Sequence, residues 1–150
     1  MGGLSPNLGP IIIATLLEQQ GHHVEVISEY VTKLYLKEIV EADLVGISIH
    51  TYNAQRGFEI ARELKKPIVF GGSHASLMPQ ECLKYGDYAM IGDGHSIVDL
   101  VDFLDNRRID NISQVSNLVY KAGDEIIYNQ KETKTINIIP NFNFRAPDLA

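Results

Sequence analysis

Three short segments of this sequence concentrate the residue types that hold polar ligands: Ser48-Ile49-His50-Thr51-Tyr52-Asn53, Gly71-Gly72-Ser73-His74-Ala75 and Gly92-Asp93-Gly94-His95-Ser96. Glycine lets a ligand approach the main chain, hydroxyls and amides supply hydrogen bonds, and a helix amino end attracts negative groups. A broad ligand rich in amides, or one bearing phosphate, suits such loops. Glycine and serine also serve as ordinary turn and cap residues, but three such loops in one chain favour the ligand reading. Of the five histidines, His50, His74 and His95 sit in these loops, whereas His22 and His23 precede an edge strand and are expected to be solvated.

Other chemistries lack their residues. No phosphate-cradling G-x-x-x-x-G-K-[ST] occurs, and Gly92-Asp93-Gly94 is followed by Ile97 where a dinucleotide fingerprint needs its third glycine. Ser48 or Ser73 could be paired with a histidine and an acid, but no G-x-S-x-G elbow is present. The acidic cluster of a receiver domain is lacking too, since the three loops hold only Asp93. The one cysteine, Cys82, can form neither an internal disulfide nor, by itself, a zinc or iron–sulfur site. A reducing, cytoplasmic setting fits it best.

The elements that must position these loops follow from the apolar pattern. Residues 8–20 are apolar at helical spacing and are closed by Gly21. Residues 22–28 alternate as a short strand does, and Leu44-Val45-Gly46-Ile47-Ser48-Ile49 is a continuous apolar run of the kind expected in a central strand. Asn53 is a candidate cap for a helix carrying Phe58, Ile60, Ala61 and Leu64 that stops before Pro67, and Ile68-Val69-Phe70 is a further buried strand. A helix over residues 79–85, a strand over 88–91 and a helix over 96–105 complete the series.

Alternation of this kind predicts an α/β fold, a doubly wound parallel sheet whose ligands bind beyond the carboxyl ends of the strands. Beyond Asn106, Leu118-Val119-Tyr120 and Ile126-Ile127-Tyr128 flank Gly123-Asp124 as a hairpin does, and residues 136–150, with Pro140 and Pro147, read as a linker. The expected boundaries are 1–110 for the α/β domain, 111–132 for the hairpin extension and 133–150 for the linker. A doubly wound sheet normally opens with a strand, yet residues 1–7 hold glycines and a proline. The chain is therefore expected to be an internal fragment, or to fill that position with another segment such as residues 136–139. The strand edges of a truncated sheet invite pairing between chains, so a homodimer is also an expectation.

At 150 residues the chain can bury a continuous core as one domain. Its composition, 45% hydrophobic and 21% charged, places it among soluble globular proteins. A net charge of -6, with the basic pairs Lys65-Lys66 and Arg107-Arg108 isolated, argues against nucleic acid as a partner. The apolar run over residues 11–17 is too short to span a bilayer, so neither a targeting leader nor a membrane segment is expected.

The loops also carry a family likeness. Val69-Phe70-Gly71-Gly72-Ser73-His74-Ala75-Ser76-Leu77-Met78-Pro79, with Glu81 and Leu83 after it, resembles the G-G-P-H-A-T-x-x-P-E-x-x-L signature of cobalamin-binding domains that precede radical S-adenosylmethionine catalytic domains. Val45-Gly46-Ile47-Ser48 with Thr51 and Asn53 is similar to that family's V-G-I-S-x-x-T-x-N segment, and Ile91-Gly92-Asp93-Gly94-His95 resembles its G-E-G-E loop. Residues 117–129 resemble its short hairpin, and the likeness runs from about Leu8 to Pro140. Ser73 stands for the usual proline, Asp93 and His95 replace two glutamates, and the first strand with its proline-bearing loop is missing. Asp93-Gly94-His95 imitates the start of D-x-H-x-x-G, whose histidine binds cobalt in the mutases. It follows the last core strand instead of the first, so it assigns no cobalt ligand.

The resemblance implies a flavodoxin-like, Rossmann-like cobalamin fold. It implies cofactor binding by Ser48, His50, Thr51, Asn53, Gly71, Gly72, His74, Ala75, Gly92, Asp93, Gly94 and His95, with no catalytic and no metal-ligating residue in this chain. A radical S-adenosylmethionine domain after Ala150 would supply a 4Fe-4S cluster and S-adenosylmethionine, with methyl transfer the commonest outcome. The alternative is a scaffold or docking domain of the same fold that has lost cobalamin, or holds flavin or a protein partner. A self-contained enzyme using Ser48, His50 and His74 is a third reading.

Overall fold

The computed structural model describes residues 8–29, 36–39 and 41–137. Helix α1, Leu8–Gln19, ends as its glycine dictates. Gly21 is left-handed (φ +89), Gly21 N–H donates to the Glu18 carbonyl, and His22 N–H donates back to that of Leu17. Both bonds satisfy carbonyls that a helix end would otherwise orphan.

Three parallel strands follow: β1 (Val45–Ser48), β2 (Ile68–Gly71) and β3 (Tyr88–Met90), with Val45 opposite Ile68 and Val69 opposite Tyr88. Helix α2, Ala54–Glu63, crosses from β1 to β2 and buries Ala54, Gly57, Phe58 and Ala61, one stripe at helical spacing. Two short helices, α3 (Ser73–Leu77) and α4 (Pro79–Cys82), fill the next crossover, with Pro79 opening the second at the position where its missing N–H costs nothing. Helix α5, Ile97–Leu104, follows β3.

Alternate residues of each strand feed opposite cores, the period-two rule of a sheet covered on both faces. Ile68, Phe70, Ala89 and Val119 pack with Phe58, Ala75 and Cys82 of α2, α3 and α4. Val69, Met90 and Leu118 pack instead with Leu17 of α1 and with Ile97 and Leu100 of α5. Phe70 centres the first core, its ring edge-on to Phe58 at 5.5 Å. Helices therefore flank both faces of a mostly parallel sheet, the doubly wound α/β arrangement.

The hairpin is continuous with this sheet. β4 (Leu118–Ala122) runs antiparallel to β3 with Ala89 opposite Val119, and β5 (Glu125–Tyr128) closes the far edge through a turn at left-handed Gly123. Asn117 then ties down the chain beyond β5, its side chain bonding the main-chain N–H and carbonyl of Glu132.

Two strand expectations are corrected. Residues 22–28 alternate between half-buried and exposed positions as a strand would, but join no ladder. β1, expected to be central, is the outermost strand among the described residues, and Gly46 within it is exposed. Among the described residues no strand pairs with residues 22–28 or with the outer side of β1. Residues 1–7 and 138–150, on which the fragment reading and most of the linker fall, lie outside the described residues. No helix among the described residues is long and apolar enough to cross a membrane.

Candidate functional site

Because β1, β2 and β3 point the same way, the loops after them open onto one edge of the sheet. Hydrogen bonds join each loop to the next. His50 Nδ1 lies 2.7 Å from Ser73 Oγ, His74 Nδ1 lies 3.3 Å from Thr51 Oγ1, and Gly92 N–H donates to Ser76 Oγ at 2.9 Å. The first loop is a tight turn in which His50 N–H donates to Asn53 Oδ1 before α2 begins. Asn53 thus anchors the loop, and Ser48 ends β1 half-buried behind it.

The four glycines divide into two pairs. A methyl group on Gly72, which is left-handed at φ +93, would sit 2.5 Å from the Ile49 carbonyl oxygen. One on Gly94, at φ +82, would meet Ile13 of α1 at 2.7 Å. These two are glycine because the fold leaves no room. Gly71 and Gly92 face open space, with nothing within 4 Å of a methyl placed on either, so a ligand can approach there, although Gly92 is itself left-handed at φ +83 and its N–H is given to Ser76. Ala75 is completely buried and lies behind the edge, in the first core.

Two of the loop histidines are buried and paired with acids. His74 presents Nε2 to Glu81 Oε2 at 2.7 Å while its ring packs edge-on against Phe58. His95 bonds Asp93 through both Nδ1 and its main-chain N–H. Burial pushes the Asp93 carboxyl up, but these bonds from His95 outweigh it and hold the group below the ordinary aspartate value. Asp93 therefore stays ionised and accepts from an N–H on His95 Nδ1, with Nε2 on the other side of the ring. That Nε2 and the neighbouring Ser96 Oγ are buried without a hydrogen-bond partner among the described residues.

Apolar side chains rim this polar edge. Tyr52 is 77% exposed, Leu77 73% and Met78 51%, and each adjoins or lies near a ligand-type loop. The expected cofactor-binding set includes none of these three, nor Ser73, Ser76 or Glu81. The sequence signal for the rim is a large apolar residue directly beside the hydroxyls and histidines. A separate concavity of about 420 Å3, lined by Leu64, Pro67, Tyr85 and Asp87 among others, opens at the amino end of β2, away from the three loops. Among the described residues no three histidine, cysteine or acidic side chains group as a metal site.

The sequence model of the B12 binding domain matches residues 1–102. The chain belongs to the B12-binding domain family. Its sequence is 31% identical over 101 residues to the bacteriochlorophyllide d C-8(2)-methyltransferase of Chlorobaculum tepidum, a match covering 65% of this chain and 22% of that protein. The fold is similar to that of the cobalamin-dependent S-adenosylmethionine radical enzyme OxsB, solved with aqua-cobalamin and S-adenosylmethionine bound. That match has a TM-score of 0.73 at 20% identity, over 85% of this chain and 20% of OxsB. It is similar also to the radical S-adenosylmethionine methyltransferase TsrM of Kitasatospora setae, solved with cobalamin and a [4Fe-4S] cluster. There the TM-score is 0.68 at 20% identity, over 87% of this chain and 27% of TsrM. The chain thus spans less than a third of each of these proteins.

For a B12-binding domain the edge has fitting features. Gly71 and Gly92 leave space that a side chain would fill, hydroxyls of Thr51 and Ser73 stand beside it, and the apolar rim offers contact to a large macrocycle.

Proposed function

We propose that this chain is the cobalamin-holding module of a radical S-adenosylmethionine methyltransferase, and that it binds the corrinoid at the carboxyl edge of β1, β2 and β3. The observation that carries the placement is the pair of open glycines, Gly71 and Gly92, at the ends of adjacent strands beside the hydrogen-bonded loop set. Thr51, His50 and Ser73 would bond the polar periphery, and Tyr52, Leu77 and Met78 would cover its apolar parts. Gly72, Gly94, Asn53, Ala75 and the buried pairs His74–Glu81 and His95–Asp93 would hold the loops in shape.

When bound, the corrinoid supplies cobalt-centred methyl-group chemistry. The chain's own contribution is to bind, orient and shield it. The 4Fe-4S cluster and S-adenosylmethionine belong to a catalytic domain of the parent enzyme, to which this reading assigns residues after the linker that begins near 133. The buried thiol of Cys82 suits a reducing, cytoplasmic compartment. The outer edge of β1, unpaired among the described residues, suits pairing between copies, so sedimentation of the concentrated chain should show a dimer; a strict monomer counts against that contact.

The test of the main reading is a titration with hydroxocobalamin, then desalting and a visible spectrum of the protein fraction. Retained corrinoid, reduced by Gly71→Trp and by Thr51→Arg, supports it. No retention favours a docking domain, a reading for which the exposed trio Tyr52, Leu77 and Met78 speaks independently.

A further inference from the structure

We propose that Glu81 and His74 act as positioning residues that fix the direction of the Thr51 hydroxyl, so that it offers lone pairs to the ligand and selects an amide N–H over a carboxylate. The inference rests on the corrinoid reading for its ligand but on this chain's geometry for its mechanism.

An ionised carboxylate can only accept hydrogen bonds. The 2.7 Å contact between Glu81 Oε2 and His74 Nε2 therefore requires an N–H on Nε2. When the ring is neutral that is its one proton, so Nδ1 is left as an acceptor. Its partner is Thr51 Oγ1 at 3.3 Å, and the only proton that can fill that contact is the hydroxyl's own. Thr51 sits on the exposed face of the loop, so with its proton turned inward it shows lone pairs outward.

The ring cannot easily turn over. His74 is 7% exposed, its main-chain N–H donates to the Ile49 carbonyl, and its ring packs edge-on with Phe58. Glu81 lies seven residues on, and reaches Nε2 because the chain breaks between α3 and α4 at Met78, before Pro79. The neighbouring contact between His50 and Ser73 is exposed and, among the described residues, has no carboxylate behind it, so its direction stays free. Ser76 Oγ is fixed as well, donating to the Gly72 carbonyl and accepting from Gly92 N–H, but it is half-buried; Thr51 is thus the exposed hydroxyl of the edge whose polarity is set by the fold.

The corrin periphery carries primary amides, which can donate to such a hydroxyl. A carboxylate in the same place has no proton to give and brings its charge against the lone pairs. The experiment compares cobalamin with its monocarboxylate derivatives, in each of which one propionamide is hydrolysed, at pH 8. The chain is expected to bind one of these isomers about ten-fold more weakly than cobalamin, the order of one unmatched hydrogen bond. In Glu81→Gln, which no longer compels a proton on Nε2, and in Thr51→Val, that difference is expected to shrink towards two-fold. Nitrogen-15 spectra of the ligand-free chain give a readout that a merely structural role would not move: His74 carries its proton on Nε2 in the wild type and populates both tautomers in Glu81→Gln.

A wild-type His74 protonated on Nδ1, or discrimination unaltered in both variants, overturns the relay. Failure to retain any corrinoid overturns the ligand assignment, and the nitrogen spectra then judge the histidine geometry separately.

Discussion

Adjacent glycines give the sharpest separation of fold from site. In Gly72→Ala the new methyl would lie 2.5 Å from the Ile49 carbonyl oxygen, on a residue held at φ +93 and ψ -178. That backbone region is essentially closed to side chains and costs roughly 1 to 3 kcal/mol. The contact cannot be relieved by a rotamer, because the atom struck is main chain and already accepts the His74 N–H. Moving it adds a further overpacking cost of roughly 1 to 3 kcal/mol, so the total expected is between about 2 and 6 kcal/mol. Gly71→Ala meets nothing within 4 Å and has no left-handed φ, so its stability should stay within about 1 kcal/mol of the wild type. Urea denaturation followed by circular dichroism measures both, with unchanged slopes as the check that the same surface unfolds. The reasoning fails if the two alanine variants have the same midpoint. The pair also separates stability from binding: Gly71→Trp should fold and lose corrinoid, whereas Gly72→Ala should lose structure first.

Three further outcomes follow from the core and the third loop. Phe70→Ala, at a side chain with no exposed surface beneath Phe58, should cost roughly 3 to 5 kcal/mol in the same denaturation assay; a loss under 1 kcal/mol would mean that Phe70 does not centre the core. Cys82 is buried and its thiol is pushed up to about 11, chiefly by burial and then by the Glu81 charge, so a thiol-specific disulfide reagent at pH 8 should react only as the chain unfolds. Rapid labelling of the folded chain would contradict that. Asp93 is depressed in the folded state, so its stabilising contribution is present above the ordinary aspartate value of about 4 and is lost as pH falls through the lower folded value. Asp93→Asn should therefore be less stable than wild type at pH 7, with the gap closing towards pH 3; a gap that widens in acid would reverse the sign.

The loops were legible because their chemistry is local. Gly71-Gly72-Ser73-His74 and Gly92-Asp93-Gly94-His95 announce themselves by residue type, and parallel strands then oblige them to meet at one edge. The roles within the loops were not legible, because they depend on partners distant in sequence. Gly72 and Gly71 look alike until Ile49 is placed against only one of them. His50 and His74 look alike until Glu81 is found behind one and the Tyr52 ring beside the other. Helix α3 was missed for a related reason: five residues are too few to show a 3.6-residue period.

Residues 22–28 mark the limit of pattern reading more clearly. Their alternation is real, since Val24 and Val26 are half-buried while His23, Glu25 and Ile27 are exposed, and Val24 packs into the second core with Leu17 and Leu44. Side-chain contacts also fix the direction of the segment. His22 lies 4.0 Å from Asp105 at the end of α5, and Glu29 receives two close bonds from Arg56 at the start of α2, so the chain runs the same way as β1. Yet periodicity reports which face of a segment meets the core, and pairing is decided at right angles to it, by main-chain groups that every sequence carries. β1 spends Val45 N–H on Pro67 and leads to Ile49 N–H on Gly71, which turns the amides of Gly46 and Ser48 outward, where no described strand meets them. The apolar run Leu44-Val45-Gly46-Ile47-Ser48-Ile49 thus has the composition of a central strand in the position of an edge, and the alternating segment has the faces of a strand without a ladder. Composition and periodicity record burial, and burial alone cannot say which neighbour supplies the hydrogen bonds.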